Sequence, residues 1–503
     1  MRKKNIYFAL FAIIALGAFL RIYGLGNESF WIDESETAYV AKQSSFSKVL
    51  YDIYNYNSAA PDYFKGTGGG SMPLYFFISY YWTKIFGLNE FNLRLLSAIF
   101  GIMSIYLTYL LGKYFFNAKT GLIAAFIISI NHQNIYYAQE ARNYAMLIFF
   151  TLLSIYFLMR SLNENKKIYW LGYIICAVVL IYTHYLSFLI LMFQYLYIFL
   201  FGKTHKANFK NAIISALIIF SSYIPWIPAL MKQLMSISYP YANLFKPSFF
   251  NLGYVFVQIN SWISPSLSDR IALRNADFGS ISLIGWLLIW CVLLITALIA
   301  SSFIFSLFKD ENFSIANIFK NKKTFLLLWF LIPFLIPFIF SIMFPSMSLA
   351  GFVNYVMFVT PSYYILAAKG MQSSNANAKL WIILLILLSI LPLYSYYANF
   401  DKDQWKEASQ YLNLQEYGTE LIIVNKPSAI LALDYYYPVN NAKPANDVNE
   451  AASLIKGEKS FWLLYASEKF SDTNNNIKKH LDSSFKLDKQ MEFTGIRLFH
   501  YTQ

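Results

Sequence analysis

Two short acidic and basic clusters stand where this chain's apolar pattern would hold them at a membrane surface. Asp33 and Glu34 follow shortly after the first apolar run, inside WIDESETAYVAK and flanked by Trp31 and Ala38-Tyr39. A carboxylate at a membrane rim is partly desolvated, which raises its proton affinity and makes it a better general base. The plainer alternative is a solvated acidic loop that caps a helix. Glu140 and Arg142 lie in NIYYAQEARNYAML, in a connection between two apolar runs too short to be a domain. An arginine fixed there presents a planar fork of donors suited to a phosphate, although the two could simply pair as surface ions. Arg94 opens the second long apolar run and reads either as a snorkelling residue or as a ligand contact. His184, in IYTHYLS, falls between two runs on the same side; a lone histidine is more often structural, and the same holds for His132.

What must position these residues is a set of membrane helices. The chain has 503 residues, 57% hydrophobic, 19% aromatic and only 13% charged, a composition unlike a stack of soluble domains. A spanning helix needs about 20 mostly apolar residues. Such runs occur near 6–22, 95–116, 120–136, 144–162, 168–184, 186–201, 211–231, 281–306, 324–344, 352–368 and 380–397, which predicts eleven spans. Pro225, Pro228, Pro333 and Pro337 fall inside runs and predict kinks. The net charge of +13 is read as an orientation signal, not as nucleic-acid affinity. Lys and Arg gather on alternate short loops, at Arg2 to Lys4, Lys113 and Lys119, Arg160, Lys166 and Lys167, Lys203, Lys206 and Lys210, Lys309, Lys320, Lys322 and Lys323, and Lys369 and Lys379. The positive-inside rule places those loops and the N-terminus in the cytoplasm, and an odd number of spans puts the C-terminus outside. The first run has no small-x-small cleavage site after it and reads as a retained helix. Cys176 and Cys291 both lie in apolar runs, so no disulfide framework or Cys-based zinc site is expected in the hydrophilic regions.

Two large hydrophilic regions then face outward. Residues 23–92 form a first external loop longer than any connector needs. It holds WIDESETAYVAK, a polar middle from Asn55 to Ser71 with Gly66 and Gly68 to Gly70 as flexible loop, and MPLYFFISYYWTKIFG, which reads as a helix lying in the interface. Residues 399–503 alternate apolar strands (ELIIVN, SFWLLYA, GIRLFHY) with amphipathic stretches (DKDQWKEASQYL, NNNIKKHLD) and predict a small α/β domain. Lys232 to Ser280 is a third external piece with no structure assigned to it. GxxxxGK[ST], GxGxxG after a soluble strand, HExxH and CxxC are all absent, so nucleotide hydrolysis, dinucleotide binding and the commonest zinc chemistry have no support in the sequence.

WIDESETAYVAK, MPLYFFISYYWTKIFGLNEFNLRLLSAIFG, LGKYFFNAKTGLIAAFIISI, NIYYAQEARNYAML and THYLSFL together resemble, in order and spacing, the N-terminal half of GT-C superfamily membrane glycosyltransferases. The likeness is greatest to the clan of protein O-mannosyltransferases, aminoarabinose transferases acting on lipid A, and lipopolysaccharide core glycosyltransferases. It covers residues 1–200 well, with a weaker echo in DKDQWKEASQYL. It implies inverting transfer of a sugar from a polyprenyl-phosphate donor to an extracytoplasmic glycolipid, glycan or protein acceptor, in the inner (plasma) membrane. Asp33 matches the family's catalytic aspartate and Glu34 its neighbour. Glu140 and Arg142 match the segment where phosphate or metal contacts are made. Arg142, with Arg94 and His184, is expected to bind donor phosphate, and Glu34 or Glu140 a divalent metal. Trp31, Pro73, Tyr75, Tyr137 and Gln139, inside the same motifs, are expected to line the substrate pocket. The chain departs from the family at Ser71-Met72-Pro73, where many members have His-Pro-Pro, and at Asn354-Tyr355, where they often have Arg-Tyr. The resulting expectation is an all-α polytopic GT-C-type domain over 1–398 and an extracytoplasmic α/β domain over 399–503. A transporter or lipid flippase would instead place its acids mid-span. An O-antigen ligase or polymerase would share the chemistry with a longer acceptor.

Overall fold

The computed structural model describes residues 3–55, 72–201, 206–236, 248–274, 277–308, 322–344, 353–373, 378–415, 420–438, 441–466 and 475–503. Ser71 and the glycines from Gly66 to Gly70 lie outside these. Every one of the eleven apolar runs carries helix. By length and composition, however, seven helices among the described residues suffice to cross a membrane: Lys3–Ile22, Glu90–Phe115, Tyr144–Glu164, Phe209–Lys232, Leu283–Leu307, Lys323–Met343 and Ala378–Ala398. Ala118–Ile130, Lys167–Ile181 and Ser187–Leu200 are apolar but shorter, and the run near 352–368 is two 3-10 turns followed by Thr360–Ser373. The count of eleven is therefore not confirmed.

Local chemistry explains the shortening. The N-terminal part of the chain forms α1 (Lys3–Ile22), α2 (Ile32–Ala41), α3 (Phe46–Tyr54), α4 (Pro73–Phe86), α5 (Glu90–Phe115), α6 (Ala118–Ile130), α7 (His132–Ala138), α8 (Tyr144–Glu164), α9 (Lys167–Ile181) and α10 (Ser187–Phe201). The third run, continuous in sequence, breaks at Asn131, whose backbone is extended and whose side-chain oxygen accepts the Asn134 N–H at 3.0 Å, capping α7. Its amide group also donates to the Ile259 and Asn260 carbonyls. Pro225 kinks the Phe209–Lys232 span, which runs through a 3-10 turn at Ile224–Trp226 between Lys206–Ser222 and Ile227–Ser236. Pro333 and Pro337 instead sit inside one unbroken helix. The piece from Lys232 to Ser280, unassigned from sequence, contains the helices Phe249–Asn260 and Leu267–Arg274.

Small residues let the membrane helices approach closely. A Cβ built on Gly112 of α5 would lie 2.8 Å from Gly121 Cα of α6, and one on Gly121 would lie 2.5 Å from the Tyr109 carbonyl oxygen. Gly112→Val is expected to force these helices apart at a cost of about 2 kcal/mol. The check is a lower apparent midpoint of thermal unfolding in detergent, and an unchanged midpoint would mean that α5 and α6 are not held at this distance.

The first external region is built against this bundle. Pro73 occupies the first turn of α4, where its missing N–H is no loss, and Gly87 ends the helix with φ 82. α4 therefore is a helix, as MPLYFFISYYWTKIFG predicts. It buries Tyr75, Phe76, Ser79 and Tyr80.

The C-terminal region is a five-stranded mixed sheet, with order β2-β1-β3-β5-β4 for β1 (Leu421–Val424), β2 (Asn441–Pro444), β3 (Ser460–Ala466), β4 (Lys486–Phe493) and β5 (Ile496–Thr502). β1 runs parallel to β2 and β3; β5 is antiparallel to β3 and β4. Alternate residues of β1 and β3 enter two apolar clusters, Ile422, Val424, Trp462 and Leu464 in one and Leu421, Ile423, Phe461 and Leu463 in the other. That alternation sends one set to each face of the sheet. The first cluster also contains Ile32 of α2 and Trp405. The sheet region is thus packed onto the first external loop, and hydrogen bonds join them: Tyr436 receives the Phe30 N–H at 2.6 Å, and Ser29 donates to Glu407 at 3.3 Å.

Candidate active site

α2 organises the site. Consecutive residues on a helix point about 100° apart, whereas residues three apart share a face. Glu34 therefore turns inward, while Asp33 and Glu36 look toward Arg142.

Glu34 is fully buried. Arg94 meets it with two parallel bonds, Nε to Oε1 at 2.8 Å and Nη2 to Oε2 at 2.7 Å. Lys402 Nζ lies 3.1 Å from Oε1, the Ala141 N–H donates at 2.7 Å, and the Trp31 N–H reaches Oε2 at 3.4 Å. Burial alone would push this carboxyl up, but Arg94 and Lys402 outweigh it and hold the group down at about 2. Arg94 is equally committed. Its remaining donors go to the Leu25, Glu28 and Ser29 carbonyls at 3.1, 2.7 and 2.7 Å. A guanidinium has five N–H donors, and all five are used, so Arg94 has none to offer a phosphate.

Arg142 sits at the neighbouring corner. Its Nη1 donates to Glu36 Oε2 at 2.9 Å and to the Asp33 carbonyl at 3.2 Å. The Asp33 carboxylate is half-buried, and its charge is felt by Arg142 and Glu140 on one side and by Lys426 and Asp403 of the C-terminal region on the other. Asp33 thus lies between the helical bundle and the loop that follows β1. His184 leans on Tyr144 and Tyr355, with ring centroids 6.2 and 5.9 Å apart. Burial, helped by the Arg142 charge, pushes its imidazole down to about 4, so it is neutral at physiological pH; its Nδ1 accepts the Leu186 N–H at 3.1 Å, which leaves Nε2–H as a donor. Asn354, at the position where family members often have arginine, donates to the Tyr144 hydroxyl at 2.7 Å; the departure therefore falls beside Arg142.

The other sequence candidates divide. Tyr137 packs edge-on against Tyr144 at 5.1 Å and borders the site. Trp31 and Pro73 flank the starts of α2 and α4. Tyr75 spends its hydroxyl on Ser97 at 2.6 Å. Gln139 is a structural tie: its amide donates to the Leu20, Arg21 and Tyr23 carbonyls at the end of α1, and its oxygen accepts from Tyr396 at 2.6 Å. Its side chain is thus not free to contact substrate. His132 is bonded to Ser264 and packed on Tyr396, in line with a structural role.

Glu140 is the unsatisfied member. It is fully buried and neither carboxylate oxygen has a hydrogen-bond partner. Burial pushes it well above the usual carboxylate range; Lys402 opposes this, while Glu34 and Asp33 add to it. Sequence reasoning did not select Lys402 or Glu36. Glu36 lies two residues from Glu34 in the same motif, and Lys402 stands in DKDQWKEASQYL, so the signal was present but carried no role.

A divalent cation is implied for Glu34 or Glu140 by the resemblance. Glu34 does not fit it, because five protein donors already occupy its oxygens. Among the described residues no group of three or more His, Cys, Asp or Glu is arranged to hold a metal ion.

With the geometry in place, the architecture can be compared with known proteins. Over 97% of both chains it matches ArnT from Cupriavidus metallidurans in the apo state, at TM-score 0.55 and 11% identity. It matches the undecaprenyl-phosphate-bound form of ArnT to the same extent at 10% identity. The archaeal oligosaccharyltransferase AglB from Archaeoglobus fulgidus, in complex with an inhibitory peptide and a dolichol-phosphate, matches 99% of this chain and 74% of its own at TM-score 0.52 and 13% identity. The fold is that of the GT-C glycosyltransferases. Within it, residues 70–228 match the family model of dolichyl-phosphate-mannose-protein mannosyltransferases. YkcB of Bacillus subtilis (strain 168), provisionally named a mannosyltransferase, is 25% identical over 171 residues, 34% of this chain and 23% of its own. An uncharacterized protein of Aquifex aeolicus (strain VF5) is 29% identical over 164 residues. The chain spans less than a third of the length of either curated relative.

Proposed function

We propose that this chain is a membrane glycosyltransferase that moves a sugar from a polyprenyl-phosphate donor to an acceptor hydroxyl on the extracytoplasmic face, with inversion. The observation that carries the reading is half-buried Asp33, whose main-chain carbonyl accepts from Arg142 and whose carboxylate charge that guanidinium feels, at the seam between the helical bundle and the C-terminal sheet. Asp33 takes the acceptor proton as the acceptor oxygen attacks the anomeric carbon. The bond from that carbon to the phosphate oxygen breaks, and its electron pair leaves with the polyprenyl phosphate. Arg142 offsets the charge that grows on the departing phosphate. Tyr144, Tyr137 and His184 line the approach. A lipid-borne donor reaches such a site by lateral diffusion, which agrees with the lack of any nucleotide motif. The undecaprenyl phosphate and dolichol-phosphate bound by the solved relatives support a carrier of the same chemical kind.

The basic short loops support a cytoplasmic N-terminus, a multi-pass position in the cell's inner (plasma) membrane and an outward-facing C-terminal domain. The acids gather at helix ends and not mid-span, which favours transfer over a transport pathway. Purified protein in nanodiscs, offered a panel of radiolabelled polyprenyl-phosphate hexoses and pentoses, is expected to release polyprenyl phosphate from at least one. Donor consumption by none of them, with folded protein, would remove the enzymatic reading. In the same assay Arg142→Ala is expected to weaken donor binding by roughly tenfold or more, the scale of one charge-assisted contact. An unchanged donor affinity would return Arg142 to a structural partner of Glu36.

A further inference from the structure

Lys402 enters the carboxylate cluster from the far end of the chain. It follows the last long apolar helix, Ala378–Ala398, at the head of the C-terminal region. Its side chain is 1% exposed, and its ammonium donates to Glu34 Oε1 at 3.1 Å and to the Gln139 carbonyl at 2.7 Å. The Tyr136 ring lies 5.7 Å away. The oxygens that hold it, one buried carboxylate and a main-chain carbonyl, are the donor type that a hard divalent ion takes, and the buried, unpartnered carboxyl of Glu140 lies near enough to feel its charge. The two cations Arg94 and Lys402 already compensate the ionised Glu34, and burial favours the neutral form of Glu140, so a divalent ion added here would leave excess positive charge in a site closed to water.

We propose that Lys402 is the built-in cation of this site, occupying the place among Glu34, Glu140 and the Gln139 carbonyl that a divalent metal would otherwise take. The C-terminal region thereby supplies a working part of the cluster and the parent chain needs no metal there. This deepens the reading of the site given above and rests on it for the purpose the cation serves, but not for its presence. The ammonium does two things. It holds the Glu140-Ala141-Arg142 turn through the Gln139 carbonyl, and so positions Arg142. It also compensates Glu34 together with Arg94, so that α2 can present Asp33 at a fixed place. Lys402 is thus a positioning residue.

Direct metal binding tests this independently of turnover. Metal-stripped parent protein in nanodiscs, titrated with Mn²⁺ and followed by electron paramagnetic resonance, is expected to show no stoichiometric site. Lys402→Met keeps the chain length and removes the charge. It is expected to gain a site for one Mn²⁺ per chain at least tenfold tighter than any binding by the parent, and to lose it again when Glu140→Gln is added. A parent that binds one Mn²⁺ per chain, with that binding lost in Glu140→Gln, overturns the proposal. So does a folded Lys402→Met chain that binds Mn²⁺ no better than the parent. Should Lys402→Met fail to fold, the titration of the parent and of Glu140→Gln decides alone. These outcomes leave the glycosyl-transfer reading standing, since a metal-binding parent could still be a transferase, and the donor panel tests that separately.

Discussion

Asp33→Asn is expected to lower kcat for sugar transfer by at least about a hundredfold, the lower end of what a positioned general base contributes, while donor affinity changes little. The argument is one of elimination among the acids around α2. Glu34 has both oxygens filled by Arg94, Lys402 and two main-chain N–H groups. Glu36 is tied to Arg142 at 2.9 Å. Glu140 has free lone pairs but is closed off from solvent. Asp33 keeps a half-open side chain, and only its main-chain carbonyl is engaged by Arg142. Asparagine preserves shape and hydrogen bonding but cannot take a proton, so the split between kcat and donor affinity separates a base from a mere contact. Near-normal turnover in Asp33→Asn would remove it from the mechanism.

The prominence of Asp33 and Arg142 was legible because both sit at helix ends next to apolar runs, where charge is conspicuous. The division of labour between Asp33 and its neighbour was not. The dipeptide Asp33-Glu34 reads as one acidic feature until the helical phase is known, and that phase turns one carboxylate inward and leaves the other open. Arg94 looked like a phosphate ligand for the same reason; the carbonyls that absorb its donors come from Leu25, Glu28 and Ser29, a turn whose course no local pattern announces. Lys402 was hidden by separation, since it meets Glu34 across 368 positions of sequence. Hydropathy found the place of every long apolar helix but not its length. An asparagine that caps and a proline that kinks both sit inside continuous apolar runs. In the C-terminal sheet the three apolar strands were readable, whereas β2 and β4 were not. These are the edge strands, where exposed and part-buried residues stand in place of the buried apolar run that marks β1, β3 and β5.

Arg94→Met is expected to destabilise the folded protein by about 3–5 kcal/mol, the usual result of removing one partner from a buried pair. The reason lies in what remains. Glu34 stays fully buried in the variant, opposed by Lys402 alone, and the Leu25, Glu28 and Ser29 carbonyls lose their donors. Acid provides a second reading of the same interaction. In the parent the folded Glu34 carboxyl is held at about 2, below its ordinary value of 4.5. A depressed carboxyl contributes stability that is fully present above the unfolded value and is lost as pH falls through the folded one. The parent's apparent unfolding midpoint should therefore drop as pH goes from about 4.5 toward about 2, whereas Arg94→Met, with that carboxyl no longer depressed to the same extent, should start lower and show a flatter acid limb. Thermal unfolding in detergent across that range checks both features. A variant as stable as the parent, with reduced donor binding as its only defect, would mean that Arg94 belongs to the phosphate site after all and that Glu34 is held by Lys402 alone.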